Sequence, residues 1–261
     1  MENENIESVK DLTIHLIKQN KGVVIAAILF GVFFILFVPP LGIFLIIFPF
    51  LYYSWEAHEQ FMRHFAEING MIYTDTGTVK DFNGRLFEIG SGQRVSNIVS
   101  GIWNNFPIKI FNFSYTVNHG KHSSTHSFTV MEITFEKIEF PFILLKSKTM
   151  WEHNFSLSDD TNISINNDCF DLSVIKGYEV ETLQIFSEKL LEYLTKNAEN
   201  FSIEFSKNKI NIYFNDIIGD KKNLTLLLEI GKHIIDSSGA FISRLNDDFA
   251  ALHPYYLNKT T

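Results

Sequence analysis

Residues 22–55 read GVVIAAILFGVFFILFVPPLGIFLIIFPFLYYSW, 34 positions without one Asp, Glu, Lys or Arg. A run this long and this apolar is a bilayer segment. As one continuous helix it would extend about 51 Å, against a hydrocarbon core of about 30 Å. Pro39 and Pro40 stand in its middle, followed by Leu41 and Gly42. Pro40 lacks an amide donor and disfavours helical geometry at Pro39, and Gly42 eases a reversal. The stretch therefore reads as two short limbs, 23–38 and 41–54, closed by a Pro-Pro-Leu-Gly turn. A single tilted, kinked span is the alternative reading.

Working outward, Lys10, Lys18 and Lys21 precede the apolar run, while Arg63 and Lys80 follow it. Positive charge at both outer ends places both termini and the following domain in the cytoplasm. Tyr52, Tyr53 and Trp55 sit where amphipathic rings settle at the headgroup level, on the same face as Lys21 in a hairpin. The acidic opening MENENIE and the missing Ala-x-Ala-like site argue against a cleaved secretory signal. Ile6, Val9, Leu12, Leu16 and Ile17 recur at helical spacing, giving an amphipathic helix within residues 1–21. Phe61, Phe65 and Ile68 place a second short helix ahead of Gly70.

From Met71 the pattern alternates. MIYTDTG, RLFEIG, RVSNIVSGIW, PIKIFNFSYTV and STHSFTVMEITFE read as strands, and Asn118–Lys121 joins the last two as a hairpin. FPFILLK, HNFSLS, NISIN and CFDLSVI add strand candidates. Val180, Leu183, Phe186, Leu190, Leu191 and Leu194 form a helical stripe with Ser187 as an internal cap. A hairpin follows, Phe201, Ile203 and Phe205 alternating with Ser202, Glu204 and Ser206, and Lys207-Asn208 turning into Ile210–Phe214. Leu224, Leu227, Leu228, Gly231, Ile234 and Ile235 mark a last helix, interrupted near Ser237-Ser238-Gly239. The fold class is α+β: an N-terminal transmembrane helical hairpin, then a mainly antiparallel β domain with a C-terminal helix–hairpin–helix. The boundaries are 1–21 for the first helix, 22–55 for the hairpin, 56–245 for a soluble domain and 246–261 for a tail.

This order resembles a bacterial family of uncharacterised two-span membrane proteins, known as a domain of unknown function. The matching stretches are the spans, the helix ending at Asn69-Gly70, and Val99-Ser100-Gly101 leading to FNFSYTVNHGK and SFTVMEI. The passage from Phe170 through ETLQIFSEKLLEYL to FSIEFSKNKINIYF also matches, so the likeness covers most of residues 22–215. It implies two spans and an antiparallel domain, and it carries no catalytic residues or cofactors to this chain.

The net charge of −8, without a Lys/Arg cluster, argues against nucleic-acid binding. A lone Cys169 precludes an intramolecular disulfide. His119, His122 and His126, with His153 beyond, have the chemistry of zinc ligands, but no carboxylate or cysteine lies among them and a solvated turn accounts for them. Gly90-Ser91-Gly92 lacks the Gly-Lys-Ser/Thr ending of a phosphate loop. Asp159-Asp160 and Asp247-Asp248 are adjacent pairs whose side chains diverge on an extended chain. No catalytic constellation and no cofactor are expected. The expected function is a membrane-anchored cytosolic module binding a protein or lipid partner, or assembling as a homo-oligomer, at the inner membrane. The alternative is a metal-assisted hydrolase using His119, His122 and His126. Transport would demand oligomerisation, because neither limb carries an intramembrane charge.

Overall fold

The computed structural model describes residues 6–120, 122–136, 138–150, 160–237 and 239. It divides into two compact units, one formed by Met1–Tyr73 with Gly219–Leu224 and one by Thr74–Ile218 with Thr225–Thr261.

The first unit is helical: α1 (Val9–Gln19), α2 (Lys21–Ile35) and α3 (Pro39–Ile68). Ser8 caps α1 by accepting from the Asp11 amide, and α1 meets α2 at 81° around Asn20. The reversal after α2 differs from the sequence expectation. Leu36, Phe37 and Val38 make it, and Pro39 and Pro40 open α3. The first helical turn has no intrahelical partner for its amides, so prolines cost nothing there and their fixed φ favours the helix. The second correction is length. α3 is one unbroken helix of 30 residues, Pro39–Ile68, that continues past Ser54, so the short helix expected around Phe61 is its C-terminal part. Among the described residues only α3 is by itself long and apolar enough to cross a membrane; the bent α1–α2 pair passes the same test when counted as one span.

α2 and α3 run antiparallel with their backbones close. A Cβ on Gly42 would lie 2.5 Å from the Ile35 amide nitrogen and 2.6 Å from the Gly31 carbonyl oxygen. A Cβ on Gly31 would lie 2.8 Å from the Gly42 oxygen. Small residues at such a crossing let helices approach where lipid removes the hydrophobic drive for association. Leu16, Val24, Tyr53 and Ala57 form a buried cluster in this unit. The segment 219–224 joins it through Val9, whose amide donates to the Gly219 carbonyl at 2.7 Å.

The second unit is built on one nine-stranded sheet, β1 (Ile72–Gly77), β2 (Ser91–Trp103), β3 (Phe106–His119), β4 (His122–Thr134), β5 (Phe140–Ser147), β6 (Asp160–Ile163), β7 (Phe170–Ile175), β8 (Phe201–Lys207) and β9 (Lys209–Phe214). Their order across the sheet is β1-β2-β3-β4-β9-β8-β5-β7-β6. The late β8–β9 hairpin thus occupies the centre, between strands made much earlier in the chain. Asn104 and Asn105 both take positive φ, 47° and 67°, in the two-residue turn between β2 and β3. That geometry matches strand twist and favours Asn.

Among the described residues three α-helices follow β7 or β9 in the chain: α4 (Glu179–Ile185), α5 (Glu188–Asn197) and α6 (residues 221–237), of which 221–224 belong to the helical unit. The single stripe expected over Val180–Leu194 is two helices, because Ser187 starts a new one by accepting from the Leu190 amide. Gly231 of α6 lies on Met131, Ile133 and Ile212, and Phe186 meets Phe205 edge to face at 5.8 Å. Successive strand residues point to opposite faces. The other face therefore carries Phe111, Phe113, Phe128, Val130 and Tyr213, and these pack with Phe82, Leu86 and Phe87. RLFEIG, expected as a strand, is in fact a 3-10 turn over Arg85–Glu88 that supplies this second cover. HNFSLS, His153, the Asp247-Asp248 pair and the tail lie outside the described residues.

Candidate functional site

The central strands put polar residues in one row on the face covered by the 3-10 turn. Lys109 pairs with Glu132, Glu132 with Asn211, and Asn211 with Glu204 in the strand register. Glu132, Glu204 and Asn211 are essentially fully buried. Burying a charge costs free energy unless partners compensate it. Glu132 has an ion pair with Lys209 at 2.6 Å. Glu204 accepts from the Tyr213 hydroxyl at 2.7 Å and, with both oxygens, from the Arg85 amide at 3.1 Å. Asn211 donates to the Asn83 carbonyl at 2.7 Å.

These bonds fasten residues 83–85 to the sheet. Gly84, at φ +151°, fits because a Cβ there would come within 2.6 Å of the Tyr213 hydroxyl oxygen and 2.9 Å of the Asn211 amide nitrogen. Burial raises the Glu204 carboxyl from its ordinary 4.5 to about 7, outweighing donation from Tyr213 and the Arg85 amide. Burial, then the neighbouring Glu204 charge, raises the Tyr213 hydroxyl well above its usual range.

Above the Glu204 carboxylate lies a cleft of about 660 Å³. Phe82, Phe87 and Phe142 supply its apolar lining, and Lys80, Arg85 and Lys207 its cations. The Arg85 guanidinium lies over the Phe142 ring at 4.4 Å, and Lys207 donates to the Asn83 side-chain oxygen at 2.8 Å. This volume falls within the range of small-molecule sites, roughly 300–1,000 Å³. The cleft can hold a molecule with apolar and polar parts.

The residues singled out from sequence lie elsewhere. His119 and His122 are register partners across the β3–β4 turn, and His126 stacks near Tyr115 with ring centroids 5.3 Å apart. His122 and His126 stand four residues apart on one strand, about 13 Å at the usual rise, too far to share an ion. Among the described residues no group of three His, Cys, Asp or Glu could hold a metal. Cys169 is half-buried, its amide donating to the Asn167 side chain at 2.8 Å. Of the anchor residues, Lys21 opens α2, while Tyr52 and Trp55 are exposed on α3. Tyr53 turns inward against Leu16, Val24 and Ala57.

Sequence reading missed Glu204 and Glu132. Glu204 alternates with Phe201, Ile203 and Phe205, the mark of a solvent face, and nothing local shows that residues 82–87 cover it. One signal was available in β4, where Phe128 and Val130 alternate with Met131 and Ile133, so both faces are apolar and both need cover.

No family model matches this chain, and no curated protein does. One solved structure is similar: the crystal structure of the mycobacterial trehalose monomycolate transport factor A, TtfA. The likeness has a TM-score of 0.55 at 10% identity and covers 69% of this chain and 93% of that one. At this identity it shows a shared fold.

Proposed function

We propose that this chain is a membrane-anchored binding module, with α2 and α3 as a hairpin in the bilayer and the α+β unit as its cytoplasmic, partner-binding part. One observation carries the reading. Val23, Leu29, Phe30, Phe33, Phe44 and Phe48 all stand exposed on α2 and α3, while the two helices meet through glycine. An apolar surface this continuous is untenable in water and ordinary in lipid. The structural neighbour is a factor in trehalose monomycolate transport, which supports trying lipids before proteins as the partner.

Topology tests the reading. In a Cys169→Ser background, a single cysteine replaces either Phe37, in the reversal, or Thr261, and intact cells are treated with a membrane-impermeant maleimide. A hairpin with a cytoplasmic domain requires the cysteine at 261 to stay unlabelled until permeabilisation and the one at 37 to be reached from outside or shielded by lipid. Labelling at 261 in intact cells would refute the orientation.

A further inference from the structure

We propose that the cleft beside residues 77–88 binds an amphiphilic anion, a molecule joining an acidic head group to an apolar chain. This names the ligand class of the module proposed above and rests on that reading only for the supply of such molecules by a bilayer. Charge is the first ground. The chain carries −8 overall, yet Lys80, Arg85 and Lys207 line this one cleft, against Glu88 and Glu204. Glu204 offers a ligand little. It is fully buried, both its oxygens accept from the Arg85 amide, Tyr213 donates to it, and burial raises its pKa to about 7, so near neutrality it carries part of a charge.

Lys80 and Lys207 make no ion pair among the described residues, so neither is neutralised by a neighbouring carboxylate. The second ground is shape. The Arg85 guanidinium lies over the Phe142 ring at 4.4 Å, which sets a cation beside the apolar lining of the cleft. Phe82 and Phe87, both buried, extend an apolar wall from that point, suited to a short length of acyl chain. The wall keeps its place because Gly84 presses on Tyr213 and Asn211 and the Arg85 amide is bonded to Glu204.

The test uses the full chain in a non-ionic detergent, titrated with dihexanoyl phosphatidylglycerol, dihexanoyl phosphatidylcholine or inorganic phosphate below micelle-forming concentrations, with binding read by calorimetry. We expect saturable one-to-one binding of the phosphatidylglycerol and at least about tenfold weaker binding of the other two, a difference of about 1.4 kcal/mol. Lys80→Gln combined with Lys207→Asn, exposed changes of which the second suits the positive φ at position 207, should weaken the phosphatidylglycerol about tenfold. Equal binding of the zwitterionic lipid, equal binding of free phosphate, no binding, or indifference to the double substitution would each overturn the proposal. Because soluble short-chain lipids reach the cleft without a bilayer, this outcome is independent of the labelling experiment on the anchor.

Discussion

In the helical unit, large apolar side chains point outward and glycine sits where the helices touch. In the sheet unit, the arrangement inverts: carboxylates and amides lie buried under a 3-10 turn while Lys80 and Lys207 stand outside. Each unit is organised by what its surroundings must supply. In the bilayer proposed above, a helix pair with an apolar exterior would gain nothing from burying more apolar area, and close backbone contact at Gly31 and Gly42 would have to hold it. A sheet covered on both faces has apolar burial in plenty, and the residues that single out one register are the buried polar ones at Glu132, Asn211 and Glu204.

The largest effect should come from uncompensating a charge in the sheet. Glu132→Leu leaves the Lys209 ammonium, with 11% of its side chain exposed, without its 2.6 Å partner. Breaking such a pair costs about 4 kcal/mol, whereas Lys209→Met added to it should restore most of that loss. Urea unfolding of the two variants in detergent checks this. A double variant no more stable than the single one would mean that Lys209 finds water, and that the row is less dry than its burial indicates.

Next comes pH. In the unfolded chain Glu204 titrates near 4.5, and in the fold near 7. Between these values the native state holds a proton that the unfolded state has released, so unfolding stability is highest below about 4.5, falls as pH rises, and levels off above about 7. The total is about 3 kcal/mol on the usual conversion of pKa difference to free energy. Glu204→Gln should flatten this slope, measured as denaturation midpoints from pH 4 to 8. An unchanged slope would assign the titration to another group.

Much of this fold was legible in sequence, and the limits have physical causes. The alternation in FNFSYTV and FSIEFSK located β3 and β8, and Asn118–Lys121 and Lys207-Asn208 located two hairpins, because period and turn chemistry are local. Sheet order is not local. Nothing near Lys209 shows that β9 pairs with β4, some 75 residues earlier in the chain. The Pro39-Pro40 pair was ambiguous for a related reason: proline both ends a helix and begins one, and only the course of Leu36–Val38 decides. Glu204 escaped notice because its cover comes from residues 82–87, far away in sequence and themselves strand-like in composition.

The helical unit gives a smaller, opposite kind of prediction, in which adding one methyl group does harm. Gly42→Ala puts a Cβ 2.5 Å from a backbone nitrogen, which has no rotamer to yield. The helices must separate, at about 2 kcal/mol. Gly22→Ala on α2, with open space around it, should be neutral or slightly stabilising by helix propensity. Thermal unfolding in detergent separates them, and equal behaviour would remove the close crossing from the account of the hairpin.

The smallest effects concern two helix starts, one in each unit. Ser8 accepts from the Asp11 amide at 3.2 Å and donates back to the Asp11 carboxylate at 2.6 Å, a reciprocal pair that fixes the first turn of α1. Ser187 accepts from the Leu190 amide at 3.5 Å, the outer limit of a hydrogen bond, and its own hydroxyl donates to no described residue. Ser8→Ala should therefore cost about 1 kcal/mol and Ser187→Ala about half of that, within the range for lost caps. Leu190 and Leu194 remain buried with or without the serine, so packing holds α5 where capping is weak. α1 has Leu16 as its single buried residue and depends more on its cap. Equal losses at both serines, measured by thermal unfolding, would mean that local hydrogen bonding sets helix starts alike in the two units; a larger loss at Ser8 ties the cap's worth to how little apolar area its helix buries.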